Sequence, residues 1–328
     1  LMKLLNTLAL LSITATCVIT TGCEKKPDNP TPKNNSSVSQ ETTHYHSVTI
    51  KHQLGTTVIN TLPKQIAALD MNEVDFLDQL NIPIAGMVKD FVPHFLEKYK
   101  NNNDIADLGS IVQPNIEKVH TLKPDLILMT PLHSKSYPEL AKIAPTLHYD
   151  IDYKSGNGQI NTIKNHLLDL GKIFDKQALA QQKVSEIDTK LQQVKQITAN
   201  RPEKALVIMH NNGSFSNFGT NSRYGFVFNE LGVKPASTTT QINLHGEPIS
   251  SEFINQTDPD ILYIIDRTAV MEHRPLINAD SVSNPLLTQT KAWKNGRVVF
   301  VDADAWYTTA ASPTSVKIMM DDVLRGYK

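Results

Sequence analysis

The chain has 328 residues, about two domains' worth on length alone. Forty per cent are hydrophobic, enough for an ordinary core, whereas a net charge of −1 denies the chain the basic face that a nucleic-acid binder needs. Beyond the N-terminal segment, no stretch approaches the roughly 20 apolar residues of a membrane span.

The first 22 residues are laid out as a secretory signal. Lys3 supplies the positive start, and the run from Leu4 to Ile19 is mostly apolar, diluted by Asn6, Thr7, Ser12, Thr14 and Thr16. Thr20-Thr21-Gly22-Cys23 follows. Small residues ahead of a cysteine resemble the lipobox of bacterial lipoproteins, with Thr20 where leucine is usual, so Cys23 is the expected lipidation site. The alternative leaves it an unmodified residue of a cleaved signal. Cys17 and Cys23 are the two cysteines, and Cys17 lies within the signal, so the mature body can hold no disulfide framework. Residues 23–45 read as a tether. From Glu24 to Thr43 the chain is rich in Pro, Asn, Ser, Thr and Lys and has no aromatic residue, so it cannot bury enough apolar surface to fold. A flexible leash of this length spans about 25 Å.

The body is expected from His46 onward, in two halves that repeat one local pattern. In the first, Asn115 to Leu122 reads as a helix, Pro124-Asp125 breaks it, and Leu126-Ile127-Leu128-Met129 reads as a buried strand. In the second, Ser251 to Gln256 is the helix, Pro259-Asp260 the break and Ile261 to Ile265 the strand. Continuous apolar runs after helices predict parallel strands covered on both faces. The expected class is therefore α/β with two lobes, over 46–158 and 175–328. Between them Ile160, Ile163, Leu167, Leu170 and Phe174 fall on one helical face, which predicts a helix over 159–174 despite Gly171. It is either a surface helix or a strut joining the lobes. A second helix, Gln177 to Thr198, is marked by Val184, Ile187, Leu191 and Val194.

The chain has no Gly-rich phosphate loop, no Gly-x-Ser-x-Gly elbow and no His-Glu-x-x-His, which lowers the expectation of an enzyme. His44, His46 and His52 lack an acidic partner and read as structural or solvated rather than as a metal site.

Several segments then follow in a recognisable order. They are Val48-Thr49-Ile50-Lys51-His52 with Gly55-Thr56-Thr57; Ile66 to Asp70; Leu122 to Ile127; Phe218-Gly219 before Ser222-Arg223-Tyr224-Gly225; His245-Gly246 before Ser251-Glu252-Phe253; Asp266-Arg267; and Trp306-Tyr307. Together they resemble the iron–siderophore solute-binding lipoproteins of ABC importers, most closely the enterochelin (catecholate) type, over nearly all of the mature body. The resemblance implies two Rossmann-like α/β lobes joined by a single long helix (the class III, or cluster A, periplasmic binding protein fold). The ligand would lie between lobes that move little. It also implies a monomer that is not an enzyme, has no intrinsic cofactor, and carries Fe(III) only within its siderophore. The chain would be held by its lipid anchor on the periplasmic side of the inner membrane, or at the cell surface where there is one membrane, and would serve a permease and its ATPase.

Ferric iron is a hard cation that favours oxygen ligands and accepts imidazole. The resemblance assigns the two positions left open by a tetradentate bis-catecholate to His245 and Tyr307. A ferric catecholate is anionic, which suits the forked, stacking guanidinium group. Arg223 and Arg267 match arginines that the family places around the ligand, and the bland reading pairs Arg267 with Asp266 or Glu272. After the first Pro-Asp strand, where a further basic residue can stand, this chain has Leu132, with His133 and Lys135 as candidate substitutes. His210 ends a strand and ranks below His245. Glu139 and Glu230 are the candidate acidic docking points for the permease. Other ligands on the same fold (haem, a cobalamin, a bare metal ion) and a periplasmic siderophore-processing enzyme are the alternatives.

Overall fold

A computed structural model describes residues 45–153, 158–238 and 243–328. The signal, Cys23 and the tether up to His44 lie outside the described residues. The body opens with an antiparallel hairpin, Val48–His52 paired with Gly55–Ile59. A five-stranded parallel sheet follows, in the order Ala106–Asp107, Gly86–Met87, Ile66–Ala68, Leu126–Met129, Thr146–His148. The chain then runs through helices Gln159–Ile173 and Gln177–Thr198 into a second sheet. There Lys204–Asn211, Ile261–Asp266 and Val298–Phe300 are parallel, and Ser214–Asn217 and Glu247–Ile249 add an antiparallel flank.

Both sheets are covered on both faces, as the apolar runs predict. Leu126–Met129 and Ile261–Asp266 are buried throughout. Alternate residues feed opposite cores: Ala205 and Val207 enter one apolar cluster, Leu206 and Ile208 another. The repeated Pro-Asp has the same task in each lobe. Asp125 accepts from the backbone N–H groups of Lys64 and Gln65, both at 2.8 Å, and Asp260 accepts from that of Lys204 at 2.9 Å. Each aspartate thus ties the start of its strand to the start of the neighbouring one.

Gly171, the weak point of the predicted helix, lies where that helix meets the next. A Cβ there would stand 2.6 Å from the Ala180 Cβ, so only glycine permits the contact. The start of the same helix carries a correction. Gly158 has no side chain with which to cap it, and Glu230 does so from the second lobe, accepting from Gln159 N at 2.8 Å and Ile160 N at 3.3 Å. Glu230 is therefore a helix cap, not the free surface carboxylate expected for docking.

The lobes are stitched together beside the last helix, Pro313–Arg325. Asn72 and Asp75 of helix Met71–Gln79 accept from the backbone N–H groups of Ala311 (3.1 Å) and Thr314 (2.7 Å). Tyr149 donates to the Ala311 carbonyl at 2.8 Å. A second seam joins His94 of the first lobe to Asp302 and Asp304 of the second. Its Nε2 lies 2.6 Å from Asp302, and its backbone N–H donates to Asp304 at 2.9 Å.

Candidate ligand cleft

In parallel sheets the loops beyond the carboxyl ends of the strands form the usual binding crevice. Here they hold Asp70, Thr130 and Tyr153 on one lobe and Asn211 and Arg267 on the other. A π-helical turn, Asp304–Thr309, brings Tyr307 to the same place. Its neighbour Trp306 is fully buried and donates Nε1–H to Asp322 at 2.9 Å, so of this pair one residue is core and the other is half-exposed.

Arg267 follows strand Ile261–Asp266. Asp266 does not pair with it. That carboxylate is held by Arg274 (3.0 and 3.2 Å), by the Ile277 and Ala269 N–H groups and by His210 at 3.3 Å. Burial pushes the Asp266 pKa up, but these donors outweigh it and hold the group below its ordinary value. Arg274 also takes Glu272, at 3.8 Å. Arg267 is thereby left free to donate from Nε to Tyr307 Oη at 2.8 Å and from Nη1 to Asn211 Oδ1 at 3.0 Å.

Arg223 stands on a turn closed by Ser222 Oγ donating to the Gly219 carbonyl at 2.7 Å. It donates from Nη2 to the Tyr307 carbonyl at 2.6 Å, while its buried Nε has no partner among the described residues. Its guanidinium lies within 6.0 Å of the ring centroids of Tyr153, Tyr224 and Tyr307. Burial opposes its charge, but the Tyr224, Tyr153 and Tyr307 oxygens and the Asp70 carboxylate outweigh that, and its pKa lies above the ordinary arginine value. The Tyr153 phenol is pushed up to about 12 by burial, with Arg223 pulling the other way.

Three of the expected residues, Arg223, Arg267 and Tyr307, thus form one cluster. His245 stands apart from it. Its side chain is exposed, and its backbone N–H donates to Asn243 at 3.0 Å. Its loop is nevertheless tied to the cluster. Gly246, at φ 78°, packs so close to Phe218 that a Cβ would come within 2.7 Å, and Phe218 packs edge-on against Tyr224 at 4.9 Å. His133 turns inward: Nδ1 accepts from Thr130 N at 3.3 Å, Nε2 meets the Ile111 carbonyl at 2.7 Å, and 2% of the residue is exposed. With both nitrogens satisfied it fastens two loops and is no substitute for a cleft arginine. Lys135 and Glu139 are exposed. His210 is buried between Asp266 and the Gly213 N–H. His52 bonds Thr57 within the hairpin at 2.9 Å, and His46 is exposed.

Sequence reasoning missed Tyr153 and Asp70, the residues with which the first lobe faces Arg223. The signal for Tyr153 was slight, an aromatic residue just ahead of Lys154-Ser155-Gly156-Asn157 in the sequence. Among the described residues, His94, Asp302 and Asp304 bring three potential metal-ligating atoms within 4.8 Å of one another. His94 is already bonded to both carboxylates there, and the group reads as the seam between lobes.

Comparison with known proteins gives the family of the chain and the fold it shares. The family model described as periplasmic binding protein matches residues 66–305. The ferric-anguibactin-binding protein FatB of Vibrio anguillarum is 63% identical, over 98% of each chain. The petrobactin-binding protein YclQ of Bacillus subtilis is 35% identical, over 87% of this chain and 89% of its own. The solved structure of the siderophore-binding protein BauB, bound to a complex between two molecules of acinetobactin and ferric iron, has a TM-score of 0.83 and 67% identity. That match covers 86% of this chain and 99% of BauB. The chain belongs to the periplasmic binding protein family.

Proposed function

We propose that this protein is the solute-binding component of an ABC importer and captures a ferric siderophore between its lobes. The observation that carries the reading is the cluster of Arg223 and Arg267 around Tyr307, two fixed cations of which Arg267 donates to the phenol oxygen and Arg223 to the backbone carbonyl. Such a cluster suits an anionic, oxygen-rich chelate whose iron accepts a further oxygen donor. The relatives named above, each described by the ferric complex or siderophore it binds, support the same reading. In the finer form of the proposal the ligand is a catecholate. Tyr307 reaches its iron, His245 approaches as its loop closes on the ligand, and Arg223 and Arg267 neutralise the chelate. The stitching at Ala311 and Thr314 supports lobes that move little. An anchor at Cys23 would keep the carrier near a permease and its ATPase, on the outer side of the membrane that holds them. Glu139 remains the candidate docking point on the first lobe.

Titration of the purified protein with a ferric catecholate tests the proposal. Binding should quench the fluorescence of Trp306, raise the melting temperature by mass action and perturb the visible charge-transfer band. Absence of all three changes would end the iron reading. Recovery of chemically altered siderophore would favour the enzyme instead.

A further inference from the structure

Two histidines of the first lobe meet where the N-terminal hairpin joins the first sheet. His52 ends strand Val48–His52, and His148 ends Thr146–His148, the edge strand of that sheet. Their ring centroids are 6.2 Å apart, with the planes tilted by 49°. His148 is 6% exposed, and the Nδ1 atoms of both rings are buried without a partner among the described residues.

The hydroxyl groups beside the rings fix which nitrogen carries the proton, because a hydroxyl has one hydrogen to give. Thr57 gives its own to the Thr146 carbonyl at 2.6 Å, so in the 2.9 Å contact with His52 it is Nε2–H that donates to Thr57. Ser134 gives its own to the Pro131 carbonyl at 3.0 Å, so at 3.3 Å His148 Nε2–H donates to Ser134. Each ring is thereby left with a bare, buried lone pair at Nδ1. The Thr57 hydroxyl that orients His52 is also a tie between the hairpin and the sheet edge.

A proton added to either ring goes to Nδ1, where no acceptor meets it, and a charge on both rings sets two like charges side by side in a desolvated place. We infer that His52 and His148 form an acid-sensitive latch, which holds the hairpin on the edge of the first sheet at neutral pH and loosens it on acidification. Burial holds both imidazoles below their ordinary 6.5. The Thr146 carbonyl opposes this at His52, and Asp150 opposes it at His148, where His52 and His133 reinforce it. Tyr137 meets His52 edge-on at 5.6 Å, and the neighbouring Lys51 and Lys135 are exposed. The unfolded chain takes up protons that the native pair refuses, so the stability contributed is full above pH 6.5 and is lost as pH falls through the lowered native values. The strand freed at its outer edge leads into Tyr149 and its bond to Ala311 of the other lobe. The latch uses no residue of the Arg223, Arg267 and Tyr307 cluster, and it stands whatever ligand the cleft takes.

Amide hydrogen exchange of the purified protein, corrected for the pH dependence of the intrinsic rates, tests the latch. Between about pH 7.5 and about pH 5, protection of the hairpin should fall at least about tenfold relative to that of strand Leu126–Met129. His52→Gln and His148→Gln each keep an N–H donor of similar reach and cannot take the proton. Each should reduce the fall, and the two together should abolish it, whatever protection the variants start from at neutral pH. A fall that persists undiminished in the folded double variant, or a wild-type hairpin that keeps its protection, would overturn the inference. Should the double variant not fold, titration of the wild-type imidazole resonances by NMR decides. Midpoints for His52 and His148 both below 6.5 are expected. A midpoint at or above that value, as a proton shared between the rings would give, sinks the latch.

Discussion

Arg267 donates its Nε–H to Tyr307 Oη across 2.8 Å, and it can do so because Arg274 has taken the Asp266 carboxylate that adjoins it in sequence. The phenol oxygen is thereby fixed in position, with capacity to accept one further partner. Tyr307→Phe keeps the ring beneath Arg267 and removes only the oxygen. The expected loss is between about tenfold and a hundredfold in affinity for a ferric catecholate, from a charge-assisted bond of roughly 1.5–3 kcal/mol. The charge-transfer band should shift as well. A variant with the wild-type band would show that Tyr307 does not touch the iron.

Arg223 differs from Arg267 in being packed among rings. Arg223→Lys keeps the charge and loses both the planar stacking on Tyr153, Tyr224 and Tyr307 and the fork that reaches the Tyr307 carbonyl. Affinity should fall by about tenfold, the equivalent of roughly 1.4 kcal/mol, with the band unmoved, because the arginine acts on the chelate's charge and not on its metal. A shifted band would mean that Arg223 instead sets the position of Tyr307.

The elements and the site differ in how far they could be read from the sequence, for a physical reason. Pro124-Asp125 and Pro259-Asp260 act locally: each follows a helix and ties its strand to the next, so their meaning travels with the motif. Arg223, Arg267 and Tyr307 were singled out by the order of their neighbours, but that order did not reveal the contacts that the structure shows among them. Glu230 and His133 misled because their partners, the N–H groups of Gln159 and Ile160 and the Ile111 carbonyl, are distant in sequence. A glutamate that caps a helix of the other lobe looks, in sequence, like any surface glutamate. Tyr153 gains its role only when the lobes approach each other, and no local pattern records that approach.

The cap itself can be tested. Glu230→Ala leaves the Gln159 and Ile160 N–H groups unpaired at the head of the helix between the lobes. It should cost about 1–2 kcal/mol of stability, in the upper part of the range for a lost cap. Glu230→Gln retains an acceptor and should lose less. The comparison is made by urea unfolding of both variants. Equal losses would mean that the charge of Glu230 matters, and not the hydrogen bonds it accepts.

Asp75 predicts a pH dependence of definite sign. It is wholly buried, one oxygen accepts from Thr314 N at 2.7 Å, and the other has no partner among the described residues. Burial raises its pKa above the ordinary 3.8, and the hydrogen bonds from Ser312 and Thr314 recover only part of the shift. The native state therefore keeps the proton after the unfolded chain has released it. The stability that this group contributes is full below pH 3.8 and is lost as pH rises through the raised native value. Asp75→Asn resembles the protonated acid at every pH and still offers an oxygen to Thr314. The stability of the variant relative to wild type should therefore climb as pH is raised from about 4 to 8, measured as the difference between paired urea-unfolding curves. A difference that stays flat across that window would show that Asp75 does not titrate within it, and that a neighbouring donor satisfies its second oxygen in solution.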